Sequence, residues 1–440
     1  MSHIFHRSAR SVPPLAVSGE GSYVLDSDGK RYLDACGGAA VSCLGHGQPE
    51  IAEAIAAQAR RLAYAHTGFF TSEPAEELAD LLIADAPAGL EKVFFVSSGS
   101  EAVETALKMA HQYHRERGET GRRHVISRWQ SYHGNTLGAL SAGGNRWRRA
   151  AYQDLLIDMH HIQPCYAYRG RASGESDEDY GRRVADELEE KILELGAGTV
   201  SAFIAETVVG ATLGAVPPVP GYFARIRDIC DRHGVLLILD EVMCGMGRTG
   251  HLHACLAEGI SPDLMTVAKG LGAGYLPLGA VLASGRVHRA FAEGSGAFMH
   301  GHTFVGHPVA CAAALAAQRI MRREGLVERV DAEEAFLHGL LDGAFGQHPH
   351  VGDIRGRGYL WGLELVEDRE TGAPFAPEAN LAARIKAKAQ ALGLLCYPGS
   401  GTVDGKAGDH ILLAPPFTAS REELERMTAI LSDTLDAVVK

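Results

Sequence analysis

Two apolar runs in this sequence end on charged residues. Val235-Leu236-Leu237-Ile238-Leu239 leads straight into Asp240-Glu241, and Leu264 to Ala268 leads straight into Lys269. Taken singly, a lysine after a strand is ordinarily a solvated end, and an aspartate is a cap or a surface charge. Taken together they suit one chemistry. A lysine amine at the edge of a sheet forms a Schiff base with an aldehyde, and a buried aspartate keeps a pyridine nitrogen protonated. This pair is the minimum that a pyridoxal phosphate enzyme requires.

Such a cofactor also needs a seat for its phosphate. Val93 to Val96 runs into Ser97-Ser98-Gly99-Ser100-Glu101, and Val103, Ala106, Leu107 and Ala110 then recur at helical spacing. Glycine lets the backbone approach a phosphate, serine hydroxyls donate to it, and a helix start supplies free amides and the positive end of a dipole. Ser98 and Glu101 also have the spacing of a plain capping box, so both readings stand at this point. A third segment, Trp129-Gln130-Ser131-Tyr132-His133-Gly134-Asn135, offers an aromatic face to a flat heterocycle or packs as a loop.

The elements that must hold these residues follow a rhythm of short apolar runs and amphipathic helices. Val93 to Val96, His124 to Ser127, Val200 to Ala205, Val235 to Leu239, Leu264 to Ala268 and Leu278 to Ala283 read as strands, most of them apolar on both faces. The alternation predicts an α/β fold with a mostly parallel central sheet, whose ligands lie at the carboxyl ends of the strands. Gly21 to Asp34 reads as a hairpin about a Ser-Asp-Gly turn. The polar stretch Arg169 to Asp179 and the helical pattern Val184 to Leu195 read as an excursion between strands. From about 320 onward the pattern changes to helices with short strands, including Gly358 to Leu365 and Ile411 to Leu413. The expected organisation is an N-terminal segment, 1–65, that joins a C-terminal small domain, 321–440, beside a large cofactor domain, 66–320.

Composition narrows the class. Of 440 residues, 46% are hydrophobic and 22% charged, which is globular usage rather than disorder or fibre. A formal charge of −12 argues against a protein whose main task is gripping nucleic acid, since that affinity comes from clustered Lys and Arg. No apolar run approaches the roughly 20 residues of a membrane span. The polar start, Met1 to Arg7, lacks the pattern of a secretory signal, and the eight cysteines form no Cys-x-x-Cys pair. A cytoplasmic protein with free thiols is expected. The 52 glycines exceed average usage without any period.

Motif order then carries a resemblance. Leu237-Ile238-Leu239-Asp240-Glu241-Val242, Gly245, Gly247-Arg248-Thr249-Gly250, Pro262-Asp263-Leu264 and Ala268-Lys269-Gly270 resemble the signature of class III (ω-amino-acid type) pyridoxal phosphate aminotransferases of fold type I. Tyr32-Leu33-Asp34, Gly45-His46-Gly47, Ser98 to Ala102, Tyr132-His133-Gly134, His302-Thr303-Phe304 with Gly306, and Ala414-Pro415-Pro416-Phe417 extend it over nearly the whole chain. The resemblance implies that Lys269 holds the cofactor and moves the proton at the substrate Cα, and that Asp240 pairs with the pyridine nitrogen. It implies a phosphate loop at Ser98, Gly99 and Ser100, ring contacts from Val242 and Tyr132, and cofactor-binding positions at His133 and Glu206. Thr303 matches a threonine that reaches the phosphate of a neighbouring subunit. A homodimer, or a dimer of dimers, with active sites at its interface is therefore implied, with a small-molecule amino donor and a keto acid as substrates.

Departures from the pattern shape the expected specificity. Many relatives have Glu-Pro where this chain has Glu206-Thr207. Ornithine, acetylornithine and 4-aminobutyrate aminotransferases carry a carboxylate-clamping arginine just before Ala-Pro-Pro, and here that stretch reads His410-Ile411-Leu412-Leu413-Ala414. The missing fork favours an amine or ω-amino acid donor with pyruvate as acceptor, in a ping-pong cycle. The alternatives are a 2-oxoglutarate-dependent diamine or amino-acid aminotransferase, and a racemase, mutase or decarboxylase on the same scaffold. Lys406, in Lys406-Ala407-Gly408-Asp409, stands where that branch often has a mobile arginine, and Ala39-Ala40 stands where it tends to have tryptophan, implying a wider pocket. Three further signals are set aside. Gly270-Leu271-Gly272-Ala273-Gly274 lacks dinucleotide spacing, the close histidine pairs lack a metal-site pattern, and Arg146-Trp147-Arg148-Arg149 reads as a solvated face.

Overall fold

The computed structural model describes residues 2–439. At the start of the chain, β1 (Ala16–Glu20), β2 (Tyr23–Asp26) and β3 (Arg31–Asp34) form an antiparallel ribbon. The turn between β2 and β3 is held by the Asp26 carboxylate, which accepts from the amides of Asp28 and Lys30. The expected hairpin is therefore present, with a third strand added outside it.

The central sheet is built from β4 (Leu90–Val96), β5 (His124–Arg128), β6 (His160–Ile162), β7 (Val200–Glu206), β8 (Leu236–Asp240), β9 (Leu264–Val267) and β10 (Gly279–Ser284). Their order is β4-β10-β9-β8-β7-β5-β6. Strands β5 to β9 pair in parallel, and β10 runs antiparallel to both of its neighbours. The fold is thus α/β with a mostly parallel sheet, as expected. Two features were not legible in the apolar runs: the short edge strand β6 and the reversed direction of β10.

Burial on both faces explains why these strands are apolar throughout. Phe203, Ala205, Leu237 and Leu239 face a cluster with Leu188 of the helix Asp177–Leu195 and Ile226 of the helix Tyr222–His233. Ala202, Ile204, Leu236 and Ile238 face the opposite cluster, with Val103, Ala106 and Ala110 of the helix Gly99–Glu116. Each such side chain, taken fully out of water, contributes about 1.5–3 kcal/mol.

Toward the carboxyl end, β11 (Val351–Arg357), β12 (Leu360–Leu365), β14 (Tyr397–Ser400) and β15 (Asp409–Leu413) form a third, antiparallel sheet in the order β11-β12-β15-β14. The two-residue strand β13 (Leu394–Leu395) leaves this region and pairs in parallel with β3, Leu394 opposite Leu33. One apolar cluster joins both chain ends, with Leu33 and Ile51 packed among Leu363, Leu394, Ile411 and Leu431.

Candidate active site

The register of the central sheet sets three polar residues side by side at its carboxyl edge. Glu206 ends β7 opposite Asp240 at the end of β8, and Asp240 lies opposite Thr266 of β9. Each strand delivers one group to the same rim. Two residues beyond the end of β9, Lys269 occupies the left-handed region at φ +42°, where a residue with a Cβ bears about 1–3 kcal/mol of strain.

Asp240 is held on both oxygens. Its Oδ2 accepts from Nδ1 of the buried His133 at 2.8 Å, and its Oδ1 accepts from the amide of Val242 at 3.0 Å and the hydroxyl of Thr266 at 3.1 Å. Nε2 of His133 is buried without a partner among the described residues. Glu206 accepts from the amides of Tyr132 at 3.0 Å and Gly210 at 2.9 Å, and burial with Asp240 nearby pushes its carboxyl above the usual range. Glu206 therefore fixes the start of the Tyr132 loop. The Thr207 that replaces proline has a use of its own: its hydroxyl donates to Glu241 at 3.0 Å, and Glu241 also accepts from the amides of Ala254 and Cys255.

A cavity of about 370 Å³ opens above this rim. Ser98, Gly99, Ser100, Tyr132, His133, Glu206, Asp240, Val242 and Lys269 all line it. Burial lowers the Lys269 amine to about 8, against the pull of Asp240 and Glu206, so its neutral fraction near pH 7 rises to about a tenth, far above that of a free lysine. Ser98 caps the helix Gly99–Glu116, its hydroxyl accepting from the Glu101 amide at 3.2 Å. Glu101 reaches back to the Ser97 amide at 2.7 Å, one residue earlier than the capping box would have it. The two sequence readings of this segment are therefore compatible, because the cap leaves first-turn amides open to the cavity.

Close approach explains two of the glycines. A Cβ on Gly99 would meet Val242 at 2.8 Å, so the helix start could not lie against the end of β8. Gly134, at φ +128°, would drive a Cβ into the Ser100 side chain at 2.6 Å. This residue seals the Tyr132 loop against the Ser98 turn.

Thr303 is not brought to this cavity. It is exposed, and its carbonyl accepts from the Tyr64 hydroxyl at 2.8 Å, with Tyr64 stacked edge-on against Phe304. Lys406 is also exposed, in a turn whose amides at 406 and 407 bond to Asp404. His410 is fully buried on β15, and burial pushes its imidazole down to about 4. The alanine pair at 39 and 40 sits just before Val41, which lines the cavity.

The Arg146 to Arg149 stretch corrects an expectation. Arg146 and Trp147 are exposed, but Arg149 is buried and donates from Nη1 to the carbonyls of Leu140, Ser141 and Gly143 at 3.2, 2.6 and 2.9 Å. Arg148 rests on the Tyr132 ring, its guanidinium carbon 5.0 Å from the ring centre. The sequence also gave no sign of Ala211, Met243 or Leu276-Pro277-Leu278 as cavity wall. The last three reach the site only because β10 lies between β4 and β9, which no local pattern reveals.

The donor set suits pyridoxal phosphate: a half-buried amine of lowered pKa, a triply bonded carboxylate, an aromatic ring and a glycine-lined helix start converge on one cavity. Among the described residues no cluster has the makings of a metal site, and no helix is long and apolar enough to cross a membrane. All eight cysteines are free and buried.

The family model for class III aminotransferases matches residues 4–435. An uncharacterized aminotransferase of Schizosaccharomyces pombe is 45% identical over 439 residues, covering 100% of this chain and 96% of that protein. A putrescine–pyruvate aminotransferase of Pseudomonas aeruginosa is 36% identical over 421 residues, covering 95% of this chain and 89% of its own. Among solved structures, an amine transaminase from an uncultivated Pseudomonas species in its PLP-bound form superposes with a TM-score of 0.92 at 37% identity, covering 100% of this chain and 98% of that one.

Proposed function

The chain belongs to the class III aminotransferases, and from that premise we propose that it transfers an amino group from an amine or ω-amino acid to pyruvate in a ping-pong cycle. The family implies pyridoxal phosphate, which when bound supplies the electron sink for the bond broken at the donor Cα. Ser98, Gly99 and Ser100 would hold its phosphate, Val242 and Tyr132 would pack on its ring, and Asp240, steadied by His133, would hold its protonated nitrogen. Glu206 keeps the Tyr132 loop in register with that ring. Lys269 takes the proton from the donor Cα and gives it back on the other side of the exchange, a task suited to an amine near pKa 8. Donor and acceptor enter the same cavity in turn.

Thr303 completes the site across a homodimer interface, which accounts for its exposure together with Phe304 and Met299 in the single chain. In this reading, residues 66–320 form the cofactor domain, and residues 1–65 and 321–440 form the small domain beside it.

One observation carries the choice of acceptor. The cavity wall presents Lys269 as its cation beside Glu206 and Asp240, with no guanidinium in the wall. A dicarboxylate acceptor thus finds no fork for its second carboxylate. The test is a panel of amino donors run against pyruvate and against 2-oxoglutarate. Pyruvate is expected to be at least ~10-fold better in kcat/KM, the worth of one charge-assisted hydrogen bond. A clear preference for 2-oxoglutarate would sink the proposal. Replacing Lys269 by Ala should abolish both turnover and the yellow colour of the lysine-bound cofactor.

A further inference from the structure

Pyruvate carries one carboxylate, and among the described residues the wall of the cavity holds no cation that is free to meet it. Lys269 is committed to proton transfer, His410 is buried away from solvent and kept neutral at physiological pH, and Lys406 stands on an exposed turn that does not line the cavity. A guanidinium stands one ring away, that of Arg148. It lies on Tyr132, a wall residue, with its guanidinium carbon 5.0 Å from the ring centre.

Three features separate Arg148 from an ordinary surface arginine. Its backbone is held, because the Arg148 amide donates to the Asn145 side chain at 3.0 Å, and the next residue, Arg149, is locked into three carbonyls. Its charge is uncompensated: among the described residues the ion pairs engage other arginines, such as Arg122 and Arg169, and none takes Arg148. It is also not alone. Arg148 and Arg7 both pull the Tyr132 phenol downward, against the burial that raises it. An unpaired guanidinium stacked on an aromatic ring is weakly hydrated and offers a planar fork to a carboxylate.

We infer that Arg148 receives the carboxylate of the keto acid acceptor at the rim beside Tyr132. The inference rests on the pyruvate reading above and deepens it. One guanidinium serves one carboxylate, which is why a monocarboxylate is accepted and a dicarboxylate is not.

The test compares a charged with an uncharged acceptor in the holoenzyme: pyruvate and butanal, each read as kcat/KM with the same amine donor. In Arg148→Met the pyruvate-to-butanal ratio is expected to fall at least ~10-fold, as for loss of a charge-assisted hydrogen bond, with Arg148→Lys intermediate. Propionate, which has the carboxylate but no carbonyl to react, gives a readout without turnover: calorimetric Kd should rise at least ~10-fold in Arg148→Met. An unchanged ratio overturns the inference. So does a fall for both acceptors alike, which would mean that Arg148 acts only by placing Tyr132, and so does a ratio that responds to Lys406→Met instead. Preference of the unaltered enzyme for 2-oxoglutarate would be a failure of the acceptor reading, and it is seen before any variant is made.

Discussion

Nδ1 of His133 and Oδ2 of Asp240 are 2.8 Å apart, and both side chains are buried. With Val242 and Thr266 on the other oxygen, the carboxylate has no freedom to rotate. Under the proposed function His133 is a positioning residue that acts through Asp240. Replacing it by Phe should lower kcat/KM by ~10–100-fold, the range for a hydrogen bond to a charged group, while Asp240→Asn should cost more. Steady-state kinetics with a fixed donor checks the order. A His133→Phe enzyme with unaltered kinetics would remove His133 from the site.

Gly134→Ala should weaken cofactor binding and stability together. The new methyl meets Ser100 at a position where φ is +128°, so both strain and a clash act on the phosphate turn. A cost of about 1–3 kcal/mol is expected. Equilibrium dialysis of pyridoxal phosphate should show a Kd raised at least ~5-fold.

Arg149→Met tests the buried guanidinium rather than the chemistry. Three carbonyls, those of Leu140, Ser141 and Gly143, lose their donor at once. Urea unfolding should show a loss of about 2–4 kcal/mol, since buried acceptors are left unpaired. A surface arginine would cost almost nothing, and that outcome would restore the solvated-face reading.

Stability should fall in mild acid. His253 and His410 are buried, and burial lowers each to about 4 from an unfolded value near 6.5. Between those values the unfolded chain binds more protons than the folded one, so stability is full above pH 6.5 and is lost as pH falls toward 4. Each histidine accounts for at most about 3 kcal/mol of that loss. Denaturation midpoints measured from pH 7.5 to 4.5 should decline less steeply, by about one proton, in His410→Gln.

Much of this site was legible because chemistry and sheet geometry coincide. Asp240 and Lys269 are legible as ends of apolar runs, and apolar runs in a sheet covered on both faces end at its ligand edge. Ser98 was legible from its capping pattern. Arg148 and Arg149 were not, because four residues with three arginines look solvated, and neither the Tyr132 ring beside Arg148 nor the carbonyls around Arg149 shows in the local pattern. Leu276 to Leu278 were hidden for a different reason: their place in the wall depends on strand order.

The placement of β10 has a consequence for how the molecule is made. Phe95 pairs with Ala280, and Gly279 packs against the Ser98 carbonyl, so the phosphate turn acquires its neighbour only when a strand from far along the chain arrives. Closing so long a loop is slow compared with forming local helices. On a ribosome, the Ser98 turn emerges early and must wait, incompletely walled, until residue 284 has cleared the exit tunnel. The rim of the cavity is thereby completed only at a late stage of synthesis.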